Sequence, residues 1–163
     1  MAVIDTTRDP QALTLAITSQ LFAPPERVWQ LWADPRQLER WWGPPGFPAT
    51  FTQHDFVPGG AALYYMTSPE GEKNSAWFRF RRLEPHARIE LDDGFGDVPD
   101  EVPPGMPPAM HMTARMEDAY GGTRMTITTT FPSLEAMEQI LGMGMQEGMA
   151  LALSQADGIL AGG

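Results

Sequence analysis

Residues 25–44 read PERVWQLWADPRQLERWWGP and separate the first strand-like segment of the chain from all the later ones. Proline is well tolerated in a first helical turn, and apolar residues then recur at helical spacing, namely Val28, Leu31 and Trp32. Asp34 ends this helix and caps a second one, with Pro35 at its first position. The stretch therefore predicts two short helices in succession, and Gly43-Pro44 stops the second.

Two adjacent tryptophans, Trp41 and Trp42, close the second helix. Neighbouring side chains of a helix point in different directions, so one buried surface does not easily accept both. A core position, a pocket wall and a contact with a partner all remain open for this pair. We expect Trp42 to turn inward toward a cavity wall. Trp41 is then expected to pack its helix onto a neighbour or to stay partly exposed, where it could meet a partner.

Strand-like segments dominate the rest of the first 131 residues. Residues 1–11 are polar and are interpreted as a flexible lead-in, whereas residues 12–22 alternate like a half-buried strand. Six further segments alternate in the same way and are joined by Gly- and Pro-rich turns: 48–57, 61–68, 74–84, 87–92, 109–118 and 123–131. Evenly spaced strands with short turns predict an antiparallel meander.

The C-terminal run SLEAMEQILGMGMQEGMALALSQADGILA, capped by Ser133, has the apolar spacing of a long helix. Gly142, Gly144 and Gly148 lie inside it, and each costs about 1 kcal/mol relative to alanine in a helix. Either the helix breaks near Gly142–Gly144 or the glycines allow close approach to the sheet. We expect one continuous helix with a kink.

These elements predict an α+β protein with the order β-α-α-β6-α, in one domain spanning residues 12–163. The apolar face of the sheet and the long amphipathic helix must cover each other, so a curved antiparallel sheet is expected to wrap around the helix. A strongly bent sheet that grips one helix often leaves a gap that side chains do not fill. An internal cavity is therefore expected from the architecture and not from any single residue.

The composition excludes several classes of protein. The 163 residues carry a formal net charge of −10 and no cysteine. An acidic chain without a Lys/Arg run is atypical of nucleic-acid binding and of attachment to anionic lipid. The absence of cysteine rules out disulfides and thiol nucleophiles. Because no apolar signal core and no membrane-length apolar run occur, a cytoplasmic protein is expected.

Three segments together resemble the family named after the activator of the Hsp90 ATPase: RVWQLWADPRQLERWWGP at 27–44, FVPGGAALYYM at 56–66 and MGMQEGMALALSQADGIL at 143–160. The resemblance covers residues from about 12 to about 160 and implies the helix-grip fold of the START-like (SRPBCC) superfamily. It also implies a cavity for apolar or amphipathic molecules, or an association with an Hsp90-type chaperone. Members often carry Gly-Trp in the last helix where this chain has Gly148-Met149.

Motifs for other chemistries are weak or missing. His54, His86 and His111 have no metal-ligand spacing, and no phosphate-binding glycine motif follows a strand, so neither a metal nor a cofactor is expected. The acidic residues of the loop at 93–108 do not match a calcium loop. The length and composition of that loop make it a candidate lid over a pocket mouth.

Aromatic and methionine side chains are the best candidates for a ligand-binding wall. Methionine adapts to irregular gaps and is frequent on promiscuous binding surfaces, although plain core packing explains the same residues. The candidates for contact with an apolar ligand are Trp32, Trp42, Phe51, Tyr65, Phe78, Phe80, Met110, Met112, Met145 and Met149.

Three functions remain open on this basis. The first is binding of an apolar or amphipathic small molecule without catalysis. The second is an accessory module for an Hsp90-type chaperone. The third is a cyclase- or hydrolase-like enzyme with a buried group such as His54 or Tyr65 as acid or base, although no residue spacing selects one. A homodimer through an edge strand or a helix is possible with any of them.

Overall fold

The computed structural model describes residues 2–162 and consists of one eight-stranded sheet and four helices. Along the chain these are β1 (Val3–Asp9), β2 (Thr14–Leu21), α1 (Pro25–Ala33), α2 (Pro35–Trp41), β3 (Ala49–His54), β4 (Ala61–Thr67), β5 (Lys73–Glu84), β6 (Arg88–Phe95), β7 (Met110–Ala119), β8 (Gly122–Thr130), α3 (Leu134–Gly142) and α4 (Met145–Gly162). The sheet order is β1-β2-β8-β7-β6-β5-β4-β3, and every neighbouring pair is antiparallel. The predicted α+β helix-grip class is therefore confirmed.

Two details of the predicted order are wrong. The polar segment that we interpreted as a flexible lead-in forms strand β1, which pairs with β2. Its residues are mostly exposed, so backbone hydrogen bonds to β2 hold it in place and an apolar face does not. The sheet consequently has eight strands in place of seven.

The C-terminal run is broken, contrary to the continuous helix that we expected. The Ser133 hydroxyl accepts a hydrogen bond from the backbone N–H of Ala136 at 3.0 Å and starts α3. Gly144 has φ +90°, a left-handed conformation that glycine adopts without steric cost and that ends helices. A new helix, α4, starts at Met145.

Asp34 divides the two short helices as predicted. Its carboxylate accepts from the backbone N–H of Arg36 at 2.9 Å and from the Gln37 side chain at 3.0 Å. The hydrogen bond from Gln37, together with those from the backbone, lowers the pKa of Asp34. The N-cap therefore fixes the turn that sends α2 back across α1 and places its tryptophans over the sheet.

One face of the sheet carries most of the core, and α4 covers only part of that face. It rests against α2, β1 and β2, at one side of the sheet. The inner face of β4 to β7 lies on the other side, below the junction of α3 and α4. The candidate site occupies the space between them.

Candidate functional site

A cavity of about 520 Å³ lies between the inner face of β4–β7 and the junction of α3 and α4. This volume falls within the range of pockets that take small organic ligands. The lining residues are Trp42, Pro44, Pro45, Phe47, Tyr64, Met66, Asn74, Ser75, Ala76, Asp93, Gly94, Phe95, Met110, Met112, Ile140, Met143, Gly144, Met145, Glu147, Gly148, Met149 and Leu151.

Small residues and the helix break leave this space empty. Ala76 on β5 and Gly148 on α4 both lie in the wall, where larger side chains would project into the gap. A Cβ atom at Gly148 would meet only Pro44 Cγ, at 3.7 Å. The turn at Gly144 directs the chain away from the straight path that a single helix would follow across the sheet. The cavity thus follows from the local sequence of the last helix as well as from the curvature of the sheet.

The mouth of the cavity is apolar and reaches the surface. Phe47, Met143 and Leu151 line the cavity and remain 40%, 58% and 51% exposed. Phe47 belongs to the segment after α2, and the other two lie at the α3–α4 junction and on α4. A ligand could therefore enter between the segment after Trp42 and the start of α4.

A buried pair of polar side chains interrupts the apolar wall. The Tyr64 hydroxyl on β4 donates a hydrogen bond to Asp93 Oδ1 on β6, at 2.9 Å. Asp93 is only 8% exposed, and Tyr64 only 5%. Burial raises the pKa of Asp93 to about 7, and the hydrogen bond from Tyr64 opposes this effect. Burial, followed by the nearby Asp93, raises the pKa of Tyr64, so the phenol stays neutral.

The aromatic side chains around this pair form a packed cluster. The Phe78 ring centroid lies 5.3 Å from that of Trp42 and 5.1 Å from that of Tyr64. Phe51 stacks on Tyr64, with centroids 4.8 Å apart. The cluster holds Trp42 and Tyr64 against the cavity from behind, in the edge and stacked geometries that aromatic pairs prefer.

A family model described as activator of Hsp90 ATPase homolog 1-like protein matches residues 22–161. This range contains the first three helices, all of α4 except its last residue, and every residue that lines the cavity. The chain belongs to this family. The resemblance stated from the sequence is thereby confirmed, although no curated protein matches the chain.

Several solved structures have the same fold as this chain over nearly its whole length. A protein of Arthrobacter aurescens is 44% identical with a TM-score of 0.92, and the match covers 99% of this chain and 93% of that one. A protein of Mycobacterium smegmatis is 40% identical with a TM-score of 0.88, over 97% and 96% of the two chains. An AHSA1 protein of Silicibacter pomeroyi, at 20% identity and a TM-score of 0.71 over 91% and 97%, shows the fold alone.

Five of the ten predicted ligand-contact residues lie in the cavity wall of this family member. They are Trp42, Met110, Met112, Met145 and Met149. Four others are buried around the wall without lining it: Trp32, Phe51, Phe78 and Phe80. Tyr65 does not line the cavity either, and its ring lies 4.8 Å from Lys73 Nζ. Contact of any of the ten with a ligand stays a prediction.

The sequence reasoning missed Tyr64 and Asp93. Strand β6 continues to Phe95, beyond the predicted end at residue 92. One more step of the alternation through Ile89 and Leu91 would have placed Asp93 on the inner face. Because Tyr64 and Tyr65 are adjacent and both amphipathic, alternation did not decide between them. Pairing with β5 decides it, since it places Tyr64 opposite Ala76 and on the core side.

The segment that we expected at 93–108 as a lid is divided in the structure: residues 93–95 belong to β6 and line the cavity wall, whereas the loop that follows does not cover the cavity. Residues 97–108 are absent from the cavity wall, and the loop packs against Trp77 on the other face of the sheet. The Trp77 indole N–H donates to the carbonyls of Phe95 and Glu101, at 3.1 and 3.0 Å. Arg79 pairs with Asp100 at 2.6 Å and secures the same loop.

The histidines and carboxylates of residues 2–162 form no metal site. This part of the chain contains no group of three or more His, Asp or Glu side chains arranged to hold a metal ion. His54 bonds through Nε2 to the Trp32 carbonyl at 2.9 Å, and His111 bonds through Nδ1 to Asp92 at 3.0 Å. No helix in the same range has both the length and the apolar character needed to cross a bilayer.

Proposed function

We propose that this family member binds an apolar or amphipathic small molecule in the cavity between β4–β7 and the α3–α4 junction. The observation that carries the proposal is the cavity itself, a mainly apolar space of about 520 Å³ with a buried polar pair in its wall. Burial of apolar ligand surface would supply most of the affinity, and the polar pair would orient the ligand. The proposal includes no catalytic step, and it keeps the cytoplasm as the expected compartment.

Filling the cavity tests this function. Replacing Gly148 with leucine is expected to weaken binding of the neutral dye Nile red at least about tenfold, because the new side chain occupies ligand space. Nile red should bind the native protein saturably and raise its melting temperature. At a free dye concentration of one hundred times Kd, binding adds about 2.7 kcal/mol to the free energy of unfolding. Fluorescence titration and thermal unfolding measure the two effects.

Gly158→Leu is the matched control for this experiment. Gly158 is an exposed residue of the same helix, and a Cβ atom added there would meet no other atom within 4 Å. Both substitutions remove a glycine from α4 and should raise helix stability by up to about 1 kcal/mol. Only Gly148→Leu should reduce dye binding. Equal dye affinity of the two variants would contradict binding in this cavity.

Association with an Hsp90-type chaperone is the second candidate, and the family description is the observation that favours it. The exposed apolar side chains of Phe47, Met143 and Leu151 would then serve a protein partner and not a ligand. Stimulation of an Hsp90-type ATPase, equal for wild type and Gly148→Leu, would favour this candidate. A possible homodimer stays a prediction.

A further inference from the structure

The buried Asp93–Tyr64 pair has a cost that binding of a purely apolar molecule does not explain. A carboxyl group that leaves water for an apolar wall loses hydration that one hydrogen bond does not replace. Leucine or phenylalanine at position 93 would close the wall without this cost. A polar group held at an unfavourable position in a cavity points to a ligand that pairs with it.

The hydrogen bonding of the pair leaves acceptors for a ligand. Tyr64 uses its only hydroxyl hydrogen on Asp93 Oδ1. Among the hydrogen bonds within residues 2–162, the Asp93 side chain accepts this one alone; Oδ2 has no protein partner and stays accessible from the cavity, although only 8% of the residue is exposed. The carboxyl therefore offers an acceptor oxygen to the cavity, and its complement is a ligand group that donates.

The charges of the wall favour a cationic donor. The titratable side chains that face the cavity are Asp93 on β6, Tyr64 on β4 and Glu147 on α4. The lining contains no lysine, arginine or histidine, so the wall offers no ionic partner to a ligand carboxylate or phosphate. Two carboxyl groups in one cavity repel an anion and attract a cation.

The aromatic part of the wall fits the same ligand group. Trp42 and Tyr64 both line the cavity, and both pack against Phe78. Tryptophan and tyrosine rings attract ammonium groups that lie over their faces, and this attraction strengthens when water is excluded. An ammonium group next to Asp93 would thus have a carboxylate partner and aromatic neighbours.

We propose that the cavity takes an apolar amine, whose ammonium group donates a hydrogen bond to Asp93 Oδ2 while its apolar body fills the methionine-lined space. This inference rests on the proposed function, because it names the class of ligand for the same cavity. Glu147, near the mouth, adds long-range attraction for the cation but does not hold it.

Ionisation of Asp93 couples amine binding to pH. Burial raises the pKa of this carboxyl to about 7, so the empty cavity is only partly ionised at neutral pH. A bound ammonium favours the carboxylate form. Amine affinity should therefore rise roughly tenfold between about pH 6 and pH 8, while the affinity of a neutral ligand should not rise.

Three probes with one ring system test the proposal: 1-naphthylmethylamine, 1-naphthalenemethanol and 1-naphthoic acid. Calorimetric titration of the full chain at about pH 8, where an alkyl ammonium stays protonated, should give at least about tenfold tighter binding of the amine than of the alcohol or the acid. Asp93→Asn should reduce the ratio of amine to alcohol affinity to near one. Glu138→Gln removes the same charge at an exposed site on α3 and should leave that ratio unchanged.

The outcomes separate this inference from the proposed function. Equal or tighter binding of the alcohol to wild type, abolished by Gly148→Leu, would overturn the amine proposal and leave the binding function standing. Loss of amine preference in Glu147→Gln but not in Asp93→Asn would also overturn it, since the cation would then lie at the mouth. If none of the probes nor Nile red bound, the proposed function itself would fail.

Discussion

Replacing Asp93 with asparagine is expected to stabilise the protein at pH values above neutrality. Asparagine has nearly the same shape and can still accept the hydrogen bond from Tyr64, but it carries no charge to desolvate. The folded state of the wild type keeps a proton on Asp93 up to a pKa of about 7, whereas the ordinary value is 3.8. The unfolded chain releases this proton first.

The direction of the pH dependence follows from this difference. Between about pH 4 and pH 7 the unfolded state binds fewer protons than the folded state, so the contribution of Asp93 to stability falls as the pH rises. Above about pH 7 both states are ionised and the contribution is constant. At about 1.4 kcal/mol per pH unit, the full effect is roughly 4 kcal/mol.

Urea unfolding of wild type and Asp93→Asn at about pH 5 and pH 8 measures this effect. The variant should gain about 2–4 kcal/mol relative to wild type at the higher pH, and much less at the lower one. Glu138→Gln, at an exposed position, should follow the wild type at both values. An Asp93→Asn variant less stable than wild type at pH 8 would contradict a desolvation cost at the buried carboxyl.

Replacing Trp41 with alanine is expected to destabilise the fold by about 3–5 kcal/mol, a large part of the stability of an ordinary domain. Trp41 is 0% exposed, and its indole N–H donates to the Leu31 carbonyl at 2.9 Å. Its ring meets that of Trp32 edge to face, with centroids 5.0 Å apart. The substitution therefore removes both packing and the bond that joins α2 to the end of α1.

Trp42→Ala is the matched comparison, because the neighbouring ring borders the cavity on one side. Its loss should cost less stability than loss of Trp41, since part of its surface already lacks packing partners. Trp42→Ala should change the free energy of Nile red binding more than it changes the free energy of unfolding. Chemical denaturation and dye titration of both variants test this division, and a larger loss of stability in Trp42→Ala would refute it.

The division between the two tryptophans could be predicted only in part. Adjacent positions on a helix must face different surroundings, which follows from helical geometry alone. Trp42 does line the cavity, as expected from the sequence. Trp41 is fully buried, so the alternative of an exposed partner contact is wrong. Its burial depends on the packing of α2 against α1, which a single helical pattern does not encode.

The sequence by itself determined the order of most elements, the family and the inward faces of most strands. Proline, glycine and aspartate act within a few residues, and alternation with a period of two acts within one strand, so both can be read locally. The sequence also determined the net charge of −10, which is atypical of a nucleic-acid surface.

Only the tertiary structure decided the pairing of β1, the break at Gly144 and the site itself. A polar strand is recruited by the hydrogen bonds of its neighbour, and a glycine breaks a helix when the fold gains from the turn. The meeting of Tyr64 and Asp93 depends on the register of three strands, β4 to β6. The size of the cavity depends on the distance between the helices and the sheet. All the packed side chains together set that distance.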